Sequence, residues 1–350
     1  MDWRISRRSH AALVRTIALA MALVTAACGG DGGVPPSPTP LPSPTPSPSL
    51  AASAERVIAP TTANPAAGDV SFNNVAINPD PAIAAKGRLF VFLPGTGGTP
   101  AGTERILRVG VRRGYHTIDL AYPDALAVGQ ACREDPARDC SNRMREEILT
   151  GQPLSPHVAV DAANSVVQRL TDLLGYLART YPAEGWGRFL RNGAVDWSLV
   201  TAAGHSQGAG HAAYLGKLYA LDRVAMFSGV ADLGPDRATA DWLFRAGATA
   251  PARFYAFGHL RDPVVPLLVQ RGSWHALGMD AFGAAVSVDG TVPPFANTHE
   301  LTTDAEPGAQ APADARESIY HSVPITDVAT PLAADGSPRF APAWVYLAFP

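Results

Sequence analysis

The chain has 350 residues, of which 47% are apolar and 17% charged, with a formal net charge of −3. The apolar share is enough to bury the core of one large domain. The near-neutral balance excludes a nucleic-acid binder that works by neutralising phosphates, and the 32 prolines, crowded toward the N-terminus, describe a linker more than a fold.

Residues 1–27 read as an export signal: Arg4, Arg7, Arg8 and Arg15 precede the apolar run from Ile17 to Val24, and the small residues Ala26 and Ala27 follow it. That run is shorter than the roughly 20 residues a membrane span needs. The stretch Leu23-Val24-Thr25-Ala26-Ala27-Cys28 resembles a bacterial lipoprotein signal, with Thr25 where leucine is usual. The resemblance implies lipidation of Cys28 and membrane anchoring in the cell envelope, with secretion as the outcome if the cysteine stays unmodified. Residues 28–66 read as a Pro/Ser/Thr-rich linker, stiffened toward polyproline II between Val34 and Ser49. The folded domain is assigned to residues 67–350.

Within that domain short apolar runs alternate with helical patterns, which predicts an α/β fold with a mainly parallel sheet covered by helices on both faces. Strands are expected at Arg88 to Leu93, His116 to Leu120, Leu199 to Ala203, Arg223 to Phe227, Arg253 to Phe257 and Ala284 to Val288. Helices are expected at about Thr103 to Arg113, Val158 to Thr180, Gln207 to Tyr219 and Val264 to Leu277, with a last short one including Trp344 to Ala348. The segment from Asp124 to Pro156 is long for a connection and reads either as a lid or binding loop that faces a substrate or as surface decoration. It carries Cys132 and Cys140, which are expected to form a disulfide in an oxidising compartment.

The informative passage is Leu199-Val-Thr-Ala-Ala-Gly-His-Ser-Gln-Gly-Ala-Gly-His-Ala-Ala-Tyr214, where an apolar strand runs through a glycine-flanked serine into an Ala-rich helix. In that context G-x-S-x-G is a nucleophile turn. Gly204 and Gly208 leave room for a sharp reversal that exposes the Ser206 hydroxyl at the helix N-terminus, where the Gln207 amide can stabilise an oxyanion. Upstream, Leu89-Phe-Val-Phe-Leu-Pro94 leads into Gly95-Thr96-Gly97-Gly98. A phosphate-binding loop is a poor reading of that turn, since Pro100 stands where a dinucleotide fingerprint needs glycine and no Walker lysine follows.

These features together resemble the α/β-hydrolase superfamily, and the Pro94-Gly95-Thr96 segment is similar to the oxyanion loop of cutinase-like polyester hydrolases. The resemblance implies a second oxyanion amide at Thr96 and a triad in the order serine, acid, histidine. Asp262, just beyond a predicted strand, is the expected acid, with Asp232 the alternative. His299 is the expected base, with His321 the alternative; both follow what reads as the last strand. No metal site is expected, because His-Glu-x-x-His is missing and His205 and His211 are wrongly spaced for one helical face. The implied activity is hydrolysis of small or polymeric carboxylic esters through an acyl-enzyme, without a cofactor and without a nucleic-acid partner. A serine peptidase and a non-catalytic surface-binding module on the same scaffold are the alternatives.

Overall fold

The computed structural model describes residues 54–68 and 72–350. The leader, Cys28 and the proline-rich run lie outside the described residues. The chain enters the sheet at β1 (Glu55–Ile58), which pairs antiparallel with β2 (Asn74–Ile77). The expected linker therefore ends before Glu55 and not at residue 66. Two polar residues followed by two apolar ones, Glu-Arg-Val-Ile, are too short and too irregular a pattern to separate from linker sequence, and only pairing with β2 makes them a strand.

Chain order then runs β3 (Leu89–Leu93), α2 (Glu104–Val111) and β4 (His116–Asp119), with a single-turn α1 (Pro60–Ala63) lying earlier, between β1 and β2. The long connection contains α3 (Val128–Ala131) and α4 (Cys140–Thr150), and leads to α5 (Val166–Thr180) and a small hairpin of β5 (Leu190–Arg191) and β6 (Ala194–Val195). The second half comprises β7 (Val200–His205), α6 (Gln207–Leu218), β8 (Arg223–Phe227), α7 (Asp241–Phe244), β9 (Phe254–His259), α8 (Leu267–Ala276), β10 (Val286–Ser287), β11 (Glu300–Thr303) and α9 (Ala341–Ala348).

Nine strands form one sheet in the order β1-β2-β4-β3-β7-β8-β9-β11-β10, in which β2 alone runs against the others, antiparallel to both β1 and β4. The α/β prediction holds, and this strand order with a serine turn after β7 is the α/β-hydrolase architecture. Alternation along β3 shows how the layers are built: Leu89, Val91 and Leu93 enter one core with Leu170 and Leu173 of α5 and Ala209 and Ala212 of α6. Phe90 and Phe92 enter the other with Ile106 and Leu107 of α2 and Trp344 and Leu347 of α9. Buried on both faces, the central strands read as continuous apolar runs, which is why they were visible in the sequence.

The edge after β9 departs from expectation. The run expected as the final strand contributes only the two residues of β10, and β11 inserts between β9 and β10, with Leu301 opposite Phe257. Cys132 and Cys140 are disulfide-bonded, their Cα atoms 5.7 Å apart, which ties α3 to the start of α4. Among the described residues no helix is long and apolar enough to cross a membrane.

Candidate active site

All the parallel strands point their carboxyl ends at one edge of the sheet, where open α/β sheets hold their ligands. Ser206 follows β7 directly, at φ 55° and ψ −115°, a left-handed conformation that serine rarely adopts. The turn is over-determined by its surroundings. A Cβ on Gly204 would lie 2.3 Å from the Gly208 carbonyl carbon, and one on Gly208 only 2.0 Å from the Leu93 carbonyl oxygen. Both obstacles are backbone, so neither can yield. Gly208→Ala is expected to lower kcat/KM for p-nitrophenyl acetate by about 100-fold through displacement of the β3 end. Gly187→Ala, whose Cβ would meet Ala178 at an ordinary 3.5 Å, is the control expected to stay within twofold.

As the first residue of α6, Gln207 has an amide without an intrahelical acceptor, pointing out of the helix start. The Thr96 amide has no backbone acceptor among the described residues either. The two loops are tied by the Gln207 side chain, whose Oε1 accepts from Thr96 Oγ1 at 3.2 Å and from the Val128 amide at 2.9 Å. One side chain thus links the serine turn, the loop after β3 and the long connection. Nothing in the pentapeptide assigns it that role.

Asp262 lies beyond β9 and is buried. Its Oδ1 accepts from the amides of Val264 and Val265 at 2.9 and 3.0 Å, and its Oδ2 from Gln270 Nε2 at 3.0 Å. His321 Nδ1 is 2.7 Å from the same Oδ2. The carboxylate accepts, so Nδ1 is the donor of this bond and Nε2 is the ring nitrogen left to face a substrate. That Nε2 is buried and has no partner among the described residues. The neighbour of the serine, His205, holds the segment in place: its Nε2–H donates to the His321 carbonyl at 3.0 Å, with the two rings 4.7 Å apart. Burial, reinforced by the nearby His321, pushes His205 down to about 3, so it is a neutral donor and not a competing base.

The structure brings His321, and not His299, to Asp262. His299 precedes β11, at the amino end of a four-residue strand spanning about 13 Å, whereas the site lies at the carboxyl ends. Its ring is stacked between Tyr255 and Phe282, with centroids 4.0 and 4.1 Å away, and burial lowers it to about 4. The expectation failed on topology: once β11 is counted, His321 follows the last strand of the chain and His299 does not.

The alternative acid is likewise taken. Asp232 is buried in a bidentate pair with Arg145, both contacts 2.6 Å, and also accepts from Trp242 Nε1 at 2.9 Å. Arg145 in turn donates to the Gln207 carbonyl at 3.1 Å, supporting α6 from below. It passes so close to α6 that a Cβ on Gly210 would lie 2.2 Å from the guanidinium carbon. Sequence reading missed Arg145, one of two arginines that flank Met144 on α4, with nothing in the sequence to tell it from Arg143.

A cavity of about 460 Å³ opens beside Ser206, Gln207 and Thr96. One wall is Ala127 to Gln130 with Cys132 and Arg133, all from the long connection; another is Val264, Val265, Pro266 and Val269.

No family model matches the chain, and no curated protein matches it in sequence. Among solved structures, a propionate-bound form of esterase 2 from the planctomycete Thermogutta terrifontis is 15% identical, with a TM-score of 0.35, over 73% of this chain and 84% of that one. TT1662 from Thermus thermophilus is 19% identical, with a TM-score of 0.33, over 73% and 90%. A puromycin hydrolase mutant is 16% identical, with a TM-score of 0.35, over 64% of this chain and 33% of its own.

Proposed function

We propose that the protein is a serine hydrolase that cleaves carboxylic esters, with Ser206 as nucleophile, His321 as base and Asp262 as the acid that orients it. The observation that carries this reading is the His321–Asp262 contact of 2.7 Å, at the same sheet edge as a serine held at φ 55°. Ser206 Oγ adds to the ester carbonyl as its proton passes to His321 Nε2. The oxyanion lies between the Gln207 and Thr96 amides, whose donors are already fixed and so need no reorganisation. Collapse breaks the bond to the alcohol oxygen, which takes the proton from His321. Water then repeats the sequence on the acyl-enzyme, releasing the acid and restoring Ser206.

We place this reaction outside the cytoplasm, at a membrane through lipidated Cys28. The leader from Arg4 to Cys28 supports that placement, and so does a disulfide, which persists in oxidising compartments. A fluorophosphonate probe tests the chemistry: the folded protein is expected to label on Ser206, and Ser206→Ala to abolish labelling. Equal labelling of both proteins, or of neither, would reject the nucleophile.

A further inference from the structure

The charges on the cavity wall do not cancel. Arg133, Arg145 and Arg237 line it, and Asp232 is its one lining carboxylate. Arg145 and Asp232 neutralise one another in their bidentate pair. Among the described residues, the side chains of Arg133 and Arg237 have neither a hydrogen bond nor an ion pair, whereas the exposed Arg138 and Arg245 have partners. Arg138 is engaged by Asp236 and Asp241 at 2.7 and 3.0 Å, which occupies the carboxylate adjacent to Arg237 in sequence. Asp135, near Arg133, is held by His157 at 2.6 Å.

Both cations also stand on constrained backbone. Arg133 follows Cys132, whose disulfide to Cys140 closes the loop, and its amide donates to the Gln130 carbonyl at 3.3 Å. Arg237 sits at φ 66° in a tight turn closed by the Gly234 amide on the Ala238 carbonyl at 2.8 Å, a left-handed position that arginine seldom takes. Two exposed arginines whose side chains lack internal partners therefore line a cavity whose other wall is Val264, Val265, Pro266 and Val269. A guanidinium is the side chain best suited to grip a carboxylate through paired N–H donors.

We propose that the preferred substrates are esters that carry a free carboxylate, in the manner of a half-ester of an aliphatic dicarboxylic acid. This rests on the ester-hydrolase reading of Ser206. The ester carbonyl sits at Ser206, the methylene chain lies along the valine wall, and the carboxylate is held by Arg133 and Arg237. At the mouth of the cavity this attraction is screened by salt, so the preference falls with ionic strength.

Calorimetry on the Ser206→Ala protein with monoethyl adipate and diethyl adipate tests the idea without turnover. The half-ester is expected to bind about tenfold more tightly than the diester at low salt. Adding Arg133→Gln and Arg237→Gln is expected to weaken half-ester binding by about tenfold and to remove the preference. Equal binding of the two esters, or half-ester binding untouched by the arginine changes, would overturn the proposal. Fluorophosphonate labelling of the parent protein keeps the two readings apart. Labelling without a half-ester preference defeats only the carboxylate proposal, and half-ester preference without labelling defeats only the hydrolase reading.

Discussion

His321→Ala is expected to lower kcat for p-nitrophenyl acetate by about four to six orders of magnitude, as loss of a member of a serine triad does. His299→Ala is expected to keep kcat within a few-fold of the parent. The contrast follows from position. His321 Nδ1 is fixed by Asp262 at 2.7 Å, leaving Nε2 buried and without a partner among the described residues, on a ring 4.7 Å from that of His205, the residue before the serine. His299 is packed between two aromatic rings at the amino end of β11. Removing its ring should instead appear as lost stability, because Tyr255 and Phe282 would then border a void. Retained activity in His321→Ala, or its loss in a well-folded His299→Ala, would reverse the assignment.

Arg145→Ala is expected to destabilise the protein by about 3–5 kcal/mol, because it leaves the Asp232 carboxylate buried and uncompensated. The pair is 2% and 1% exposed, so water cannot replace the lost partner. For a domain of this size that corresponds to a thermal midpoint lower by about 5–8 °C. The double change Arg145→Met with Asp232→Leu should recover much of the loss, since an apolar pair of similar volume carries no desolvation penalty. A midpoint within 2 °C of the parent for the single variant, by thermal unfolding followed by circular dichroism, would show that the pair does not anchor the fold. Because Arg145 also donates to the Gln207 carbonyl at 3.1 Å, the single variant should lose activity below its melting point as well.

The parts of the site that were legible in the sequence are those whose geometry is local. Ser206 and its glycines occupy one turn, and Gly95-Thr96 follows directly from an apolar strand. Asp262 comes a few residues after β9, so a correct strand assignment was enough to find it. His321 was harder because its identity depends on which short run pairs last. Glu300-Leu-Thr-Thr303 has one strongly apolar residue and becomes a strand only by filling the space between β9 and β10. The same cause hid β1, whose Val57 is 56% exposed and whose pattern needs β2 to complete it. Arg145 was invisible for another reason: α4 lies in a polar connection, and nothing in its composition reveals that one guanidinium points into the core.

The central claim is that an acyl group passes through Ser206. Acid quenching within the first turnover of p-nitrophenyl acetate, followed by peptide mass mapping, reads this directly. An acetyl group is expected on the peptide containing Gly204-His205-Ser206-Gln207-Gly208, accumulating with the first burst of p-nitrophenol and missing in Ser206→Ala. Steady release of p-nitrophenol with no acetyl on Ser206, at a rate unchanged in Ser206→Ala, would contradict it.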